Sequence, residues 1–329
     1  MSAPADEAGT ILRSGSRVDT DVRARADRPR RTLWQRMRRE KAMYVFILPG
    51  FVFFLLFAYV PLLGNVVAFQ DFSPYLGIFG STWVGFQNFV DIFQDPEVLT
   101  AVRNTLVISV LQIVFSFPAP ILLALLLNSL VSDRLKKFVQ SVVYLPHFIS
   151  WVIVISIWQQ VLGGAGPVAA LLDKIGIHHA NIMTNPDTFA ALVTSQVIWK
   201  DVGWGTIIFF AAILAIPQEL YESAATDGAG SFRRTWHVTL PGLVPIISLL
   251  LILTIGNVLT VGFEQILLQQ PAIGTDKGEV IDTFVYFRGI AGGDWGLAAA
   301  ASLFKGVIGT LLVIGANRFA KRVGTGGIF

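Results

Sequence analysis

The sequence contains no cysteine among its 329 residues. This absence excludes disulfide bonds, a cysteine nucleophile and a zinc site built on thiolates. Charged residues are also scarce, at 14% of the chain, whereas an average soluble domain carries about 25%. Hydrophobic residues reach 53% and the mean hydropathy is +0.63. A chain with so few charges is typical of a membrane protein.

Further absences narrow the class of function. No G-x-x-x-x-G-K-[ST] sequence occurs, so the chain lacks the P-loop that cradles nucleotide phosphates. No Ser-His-Asp or Cys-His arrangement suggests an enzyme. His178 and His179 are adjacent but have no further ligand cluster around them, which makes a metal site improbable. We therefore expect no catalytic residue, no metal site and no cofactor bound by this chain.

Apolar runs of membrane-spanning length, about 20 residues each, recur along the chain. Prolines inside them, such as Pro118 and Pro120, are tolerable because neighbouring helices satisfy the freed carbonyl groups. The runs predict an all-α polytopic membrane protein with six transmembrane helices, at about residues 42–69, 102–130, 138–162, 189–216, 243–262 and 295–316.

The distribution of positive charge orients these helices. With the N-terminus inside, the cytoplasmic segments hold 19 Lys and Arg residues. The outer loops then hold only 3, which are Lys174, Lys277 and Arg288. Both termini are therefore predicted to be cytoplasmic.

Residues 1–41 form a separate region that carries 11 of the 25 Lys and Arg residues and almost no apolar periodicity. We interpret this region as a disordered cytoplasmic tail whose basic end lies against anionic membrane lipid. Six acidic residues within it argue against a transit peptide. Its position beside a membrane span argues against nucleic acid as a partner. Residues 42–329 are predicted to form the transmembrane domain.

A polar loop at 217–241 separates the fourth and fifth predicted spans and lies on the cytoplasmic side. Pro217 suits the first turn of a helix, where its missing N–H costs nothing. The sequence predicts a helix over 218–226. The apolar face of this helix is formed by Leu220, Tyr221, Ala224 and Ala225.

The end of this helix is marked by glycine. Gly228 and Gly230 predict a turn, Ser231 is placed to cap a second short helix, and Leu240-Pro241 is expected to stop that helix before the fifth span. The loop is therefore predicted to form a helix, a turn and a second short helix that project from the cytoplasmic face. From the residues alone, a plain interfacial amphipathic helix is an equally good interpretation.

The spacing of this loop resembles the EAA motif of permease subunits in ABC importers that use a binding protein. That motif is Glu-Ala-Ala, three residues, Gly, nine residues, Ile, one residue and Leu-Pro. Two positions depart from it, Ser223 for Ala and Val238 for Ile, and both changes keep a similar volume. The positions that match are Glu222, Ala224, Gly228, Leu240 and Pro241.

The resemblance extends from about residue 33 to the C-terminus. It points to the polysaccharide and oligosaccharide permeases of the carbohydrate branch, and the related maltose-type permeases match less well. The segments that carry it are YLPHFISW (Tyr144–Trp151), GFEQI (Gly262–Ile266), VIDTFVY (Val280–Tyr286), LFKG (Leu303–Gly306) and ANRFAKR (Ala316–Arg322).

The resemblance implies a coupling helix between spans 4 and 5 that moves with an ATPase subunit. It also implies a second permease subunit, usually a homologue, and two ATPase subunits that use ATP and Mg. The resemblance further implies an extracytoplasmic substrate-binding protein as a partner and a location in the plasma membrane of a prokaryote. The identity of the sugar stays open. The residues assigned to ATPase coupling are Glu222, Ser223, Ala224, Asp227, Gly228, Gly230, Leu240 and Pro241.

Sugars are commonly held by aromatic faces together with carboxamide and carboxylate groups. Tryptophans also concentrate at membrane interfaces, which is the alternative interpretation for them. Lys200 and Asp201 are predicted to pair locally near the outer membrane boundary, or else to lie at the mouth of the path. The residues predicted to line the transport path are Gln196, Trp199, Trp204, Asn257, Glu264 and Gln265.

Two other functions agree with six spans, namely an ABC permease for a non-sugar solute and a secondary transporter driven by an ion gradient. The secondary transporter predicts intramembrane acids and duplicated halves. Acids are scarce in the spans and the halves show no clear repeat. The sequence therefore favours the ATP-driven sugar importer.

Overall fold

The computed structural model describes residues 41–177 and 181–323. The predicted tail, apart from Lys41, lies outside the described residues, and so do His178 and His179. The chain divides into two compact units, Met1–Gly64 and Asn65–Phe329.

The first span begins with helix α1 (Lys41–Phe54). It continues through a π-helical turn (Leu55–Tyr59), helix α2 (Val60–Leu62) and a 3-10 helix that ends at Phe69.

The remaining elements belong to the second unit. A short antiparallel pair of strands, β1 (Gln70–Asp71) and β2 (Thr82–Trp83), places Gln70 opposite Trp83. The helices are α3 (Gly77–Gly80), α4 (Gln87–Gln94), α5 (Pro96–Leu111), α6 (Pro118–Ser129), α7 (Asp133–Tyr144), α8 (Trp151–Leu162), α9 (Pro167–Lys174), α10 (Phe189–Leu214), α11 (Gln218–Thr226), α12 (Ser231–Arg234), α13 (Leu240–Gly256), α14 (Phe263–Ile273), α15 (Thr275–Gly278), α16 (Ile281–Phe284) and α17 (Trp295–Val323).

Six helical stretches of the described chain are long and apolar enough to cross a membrane. The predicted all-α class and the number of spans are thus confirmed. The stretches are Lys41–Phe69, Pro96–Ser129, Trp151–Lys174, Pro186–Leu214, Ser231–Gly256 and Trp295–Arg322.

Three spans accommodate an internal proline in the same way. A π-helical turn ends two residues before Pro61, before Pro118 and before Pro241. Proline cannot donate to the preceding turn, and its ring clashes with the carbonyl group four residues earlier. The wider π turn moves that carbonyl group aside, so each helix continues through its proline.

The third span differs from the predicted helix over 138–162. Helix α7 ends at Tyr144, a 3-10 turn covers Leu145–Phe148, and α8 begins only at Trp151. Pro146 lacks an N–H, and Ile149 and Ser150 adopt extended backbone angles. The apolar run therefore forms two helices, and the single helix that we predicted is wrong.

Three clusters of buried apolar side chains hold the second unit together, while side chains such as Leu126 and Leu311 remain exposed, as expected for helices surrounded by lipid. The first cluster centres on Phe189, Val193 and Ile266. The second is built on Ala101, Phe284 and Ala300, and the third on Ala124, Phe209 and Leu243.

Buried polar side chains fix the segment after α14 against α5. The Asn104 amide donates to the carbonyl oxygens of Asp276 and Glu279, at 2.9 and 3.0 Å. The backbone N–H of Ile281 donates to the Thr105 hydroxyl at 3.0 Å. These bonds pair backbone groups of residues 276–281 with polar side chains of α5, as buried polar groups require.

A glycine sets the close approach of α7 to α10. A Cβ atom added at Gly203 would overlap the carbonyl oxygen of Val143. We expect Gly203→Ala to lower the free energy of unfolding by about 1–3 kcal/mol, because the packed backbones must separate. Gly306 is the matched control, since nothing lies within 4 Å of an added Cβ atom there. Thermal melting in detergent should show a loss for Gly203→Ala and none for Gly306→Ala; equal melting temperatures would contradict the close contact.

Candidate functional site

The loop between the fourth and fifth spans contains the predicted helix with the predicted bounds. Helix α11 covers Gln218–Thr226. Pro217 is its N-cap residue, with φ −55° and ψ 130°, and so precedes the first helical position that we had assigned to it. Of the predicted apolar face, Tyr221 and Ala224 are half-buried, whereas Leu220 and Ala225 are exposed.

Helix α11 ends in a Schellman motif at Gly228. The N–H of Gly228 donates to Ala225 O at 3.0 Å, and the N–H of Ala229 donates to Ala224 O at 2.9 Å. Gly228 has φ +77°, the left-handed conformation that this motif requires. Gly230 has φ −68°, which any residue adopts.

The second half of the loop differs from the prediction. The N-cap position of α12 is occupied by Gly230 rather than by Ser231. From Ser231 the helix runs through the π turn at Thr235–Thr239 into α13. Leu240-Pro241 therefore does not stop the helix, because the π turn absorbs the proline.

One side-chain contact ties α11 to the start of the fifth span. The hydroxyl groups of Tyr221 and Thr239 lie 3.0 Å apart, and Thr239 is buried. The opposite side of the helix is free: Glu222, Ser223 and Asp227 are exposed. The loop thus presents a small acidic helix whose base is anchored to a membrane span.

The two glycines of the motif give a matched test of this geometry. We expect Gly228→Ala to destabilise the end of α11 by about 1–2 kcal/mol, because a Cβ atom is strained at φ +77°. Gly230→Ala should leave the protection of α11 unchanged, since its backbone angles suit alanine and nothing lies within 4 Å of an added Cβ atom. Hydrogen exchange of the α11 amides in both variants checks this, and equal protection in the two would refute it.

A cavity of about 490 Å³ lies between the second, fourth and fifth spans. Two of the predicted path residues, Trp204 and Asn257, line it. Gln112, Asp201 and Thr254 add polar groups to a mostly apolar wall. We call this space the Trp204 cavity.

One ring in the wall of the Trp204 cavity, the Trp204 indole, is stacked on a second ring outside the lining. The His147 imidazole lies parallel to the Trp204 indole, with centroids 4.5 Å apart and an interplanar angle of 5°. His147 Nδ1 is 2.8 Å from the Asp201 carboxylate. The predicted local pairing of Lys200 with Asp201 is therefore wrong, because Asp201 pairs with His147 and Lys200 binds backbone carbonyl groups.

The other predicted path residues lie elsewhere. Gln196 and Gln265 are fully buried and form an amide cluster with Gln269, in which Gln196 Oε1 accepts bonds of 2.6 and 3.0 Å. Trp199 packs edge-on against Trp158, with centroids 6.4 Å apart. Glu264 is exposed at the start of α14. The structure does not bring these four residues into the Trp204 cavity.

A second, more polar cavity of about 470 Å³ adjoins the first and shares Asn257 with it. Its walls carry the ion pair of Lys305 and Asp282. Sequence reasoning missed this pair, because the two residues are 23 positions apart on different elements. The signal available was a lysine inside an apolar run, which calls for a partner.

Comparison with known proteins places this geometry in a family. Residues 116–325 match the family described as "Binding-protein-dependent transport system inner membrane component". The polygalacturonan/rhamnogalacturonan transport system permease protein YteP of Bacillus subtilis (strain 168) is 44% identical over 301 residues, which are 91% of this chain and 94% of that protein. Protein LplB of the same organism is 42% identical over 294 residues, 89% of this chain and 92% of that protein.

A solved structure extends the likeness to three dimensions. A bacterial alginate ABC transporter, crystallised in complex with an alginate pentasaccharide-bound periplasmic protein, contains a chain with a TM-score of 0.82 and 37% identity. The alignment covers 91% of this chain and 100% of that chain. With its six candidate spans, this chain is a multi-pass inner-membrane protein. It belongs to the family of binding-protein-dependent transport system inner membrane components.

Proposed function

We propose that the chain is the permease subunit of an ATP-driven ABC importer for oligosaccharides or polysaccharide fragments. The observation that carries the proposal is the 217–241 loop. An exposed helix presents Glu222 and ends at a left-handed Gly228, at the spacing of the EAA motif. The substrates named for YteP and for the alginate transporter support a cargo derived from a polysaccharide.

In this proposal α11 is the coupling helix. Both termini and the 217–241 loop are cytoplasmic, and the acidic side of α11 docks on an ATPase subunit. Two such subunits bind ATP and Mg, and their closure moves α11 as a rigid unit through the Tyr221–Thr239 contact. The anchored base and the free outer side of the helix are what a force-transmitting element needs.

In this proposal the Trp204 cavity forms the half of the translocation path that this chain contributes. One face of the Trp204 indole is covered by His147, and the side chain remains 47% exposed. An aromatic face beside the Asn257 amide and the Asp201 carboxylate suits a sugar ring with its hydroxyl groups. A second permease subunit supplies the other half of the path, and an extracytoplasmic binding protein delivers the sugar.

Reconstitution tests the proposal. The chain is purified with the membrane partners that accompany it and placed in proteoliposomes with its binding protein outside. We expect a P-loop ATPase to co-purify and uptake of galacturonan, alginate or arabinan oligosaccharides to require ATP and Mg inside. Uptake driven by an ion gradient without ATP, or ATP-driven uptake of non-sugar solutes alone, would overturn it.

A further inference from the structure

The break between α7 and α8, just before the membrane-spanning stretch Trp151–Lys174, creates an unusual demand for hydrogen-bond donors. Between α7 and α8 the backbone leaves the α-helical path for six residues, of which 145–148 form a 3-10 turn and 149–150 are extended. Pro146 cannot donate. Its own carbonyl oxygen accepts the 3-10 bond from the Ile149 N–H at 3.1 Å, whereas the carbonyl groups of His147 and Ile149 face no backbone N–H of the described chain. Where such groups are shielded from water, they must find partners inside the protein.

Lys200 supplies those partners. Its ammonium group has three N–H donors, and it lies 3.3 Å from Pro146 O, 2.7 Å from His147 O and 2.6 Å from Ile149 O. The side chain is only 8% exposed, and Nζ lies 5.5 Å from the centroid of the Trp151 ring. All three donors are therefore directed at the break.

The residue held by this clamp is the one that contacts the cavity wall. The backbone of His147 is bound by Lys200, while its imidazole is stacked on Trp204 and bonded to Asp201. Lys200, Asp201 and Trp204 all lie on α10 within five positions. These contacts connect residues 145–150 to α10 next to the Trp204 cavity.

From this arrangement we propose that Lys200 is a positioning residue of the transport path. By clamping the break at 145–150, it fixes the His147 imidazole against Trp204 and so sets the orientation of the indole that faces the cavity. Lys200 does not line the Trp204 cavity, and its effect on the sugar passes through His147 and Trp204. The inference rests on the proposed function for its transport readout.

Uptake kinetics separate positioning from plain stability. The probe is whichever of the galacturonan, alginate or arabinan oligosaccharides the wild-type complex takes up best. We expect Lys200→Met to raise KM about tenfold and to change kcat little, because a small displacement of a binding wall weakens substrate binding. Lys136→Met is the matched control, since this lysine of α7 also contacts another element but lies over the Phe210 ring of α10 and does not line the cavity. It should leave KM unchanged.

A double variant tests whether the effect of Lys200→Met on KM depends on the Trp204 indole. In a Trp204→Leu chain, Lys200→Met should raise KM no further. If the two substitutions multiply, or if Lys200→Met lowers only the melting temperature, the proposal is overturned. If Lys200→Met does not fold, His147→Leu is the substitute variant. It removes the imidazole but keeps the backbone carbonyl group at position 147 to which Lys200 binds. It should reproduce the rise in KM, and an unchanged KM in His147→Leu would overturn the proposal.

A readout without a sugar keeps this proposal distinct from the proposed function. Acrylamide quenching of Trp204 emission is obtained as the difference between each chain and its Trp204→Leu version. Loss of the clamp should uncover one face of the indole and increase quenching in Lys200→Met. If the wild type takes up none of the probes, the proposed function fails, while quenching still decides the Lys200 proposal: unchanged quenching would overturn it.

Discussion

Replacing Glu222 by lysine is expected to lower ATP-driven uptake about 100-fold while leaving the fold intact. Glu222 is exposed on α11, and none of its side-chain atoms is needed for the Schellman end or for the Tyr221–Thr239 contact. If this carboxylate meets basic groups of an ATPase, the reversed charge costs several kcal/mol at the interface. About 2.7 kcal/mol already corresponds to 100-fold.

The same helix offers a control for net charge. Glu219 lies one turn earlier, is also exposed and is not part of the EAA spacing. Glu219→Lys should reduce uptake less than about threefold, as is usual for a charge at the rim of an interface. Uptake by reconstituted vesicles, normalised to the amount of co-purified ATPase, measures both. Equal losses in the two variants would point to a general electrostatic effect and contradict a specific role for Glu222.

Local patterns were sufficient to predict α11. Its bounds at Gln218 and Thr226 and its glycine end depend on neighbours in sequence, because capping acts within one turn. The predicted end of the helix at Leu240-Pro241 was wrong, because local patterns do not decide how a membrane helix accommodates a proline. A proline inside a membrane helix has more than one outcome, and a π turn needs packing partners that no local pattern shows.

The cavity walls depended on contacts between distant residues. A charge at position 200 could be noticed in the sequence, but its partners lie more than 50 positions away, at the break between α7 and α8. Gln196 and Gln265 were predicted from residue type to face the sugar, yet they bond to each other across 69 positions in the interior. Residue type therefore identified polar groups inside the membrane, while only the packing of α10 against its neighbours decides which of them face the Trp204 cavity.

Glu279 combines burial with neighbouring charge outside the membrane spans. Its side chain is 6% exposed, and its backbone carbonyl oxygen accepts a bond from Asn104. Burial, together with repulsion from the Glu97 and Asp95 carboxylates, raises the pKa of Glu279 to about 7. The positive charge of Arg288 opposes this rise. Arg288 is engaged by Asp95 at 3.1 Å, so it does not neutralise Glu279.

This raised pKa predicts a stability that falls with increasing pH. The folded protein holds the Glu279 proton up to about pH 7, whereas the unfolded chain releases it near the ordinary value of 4.5. The folded state therefore binds more protons in this window, and its stability decreases from about pH 4.5 to about pH 7. The full shift corresponds to about 3 kcal/mol.

Glu279→Gln should remove this dependence. At pH 8 the variant is expected to be more stable than the wild type by up to about 3 kcal/mol, because no buried charge forms. Below about pH 4.5, where both states of the wild type are protonated, the two proteins should melt alike. Glu264→Gln, at an exposed position on α14, is the control and should keep the wild-type slope. Melting curves of the three proteins in detergent from pH 4 to pH 8 measure the effect, and parallel curves for wild type and Glu279→Gln would show that the pKa of this carboxyl group is not raised in the folded protein.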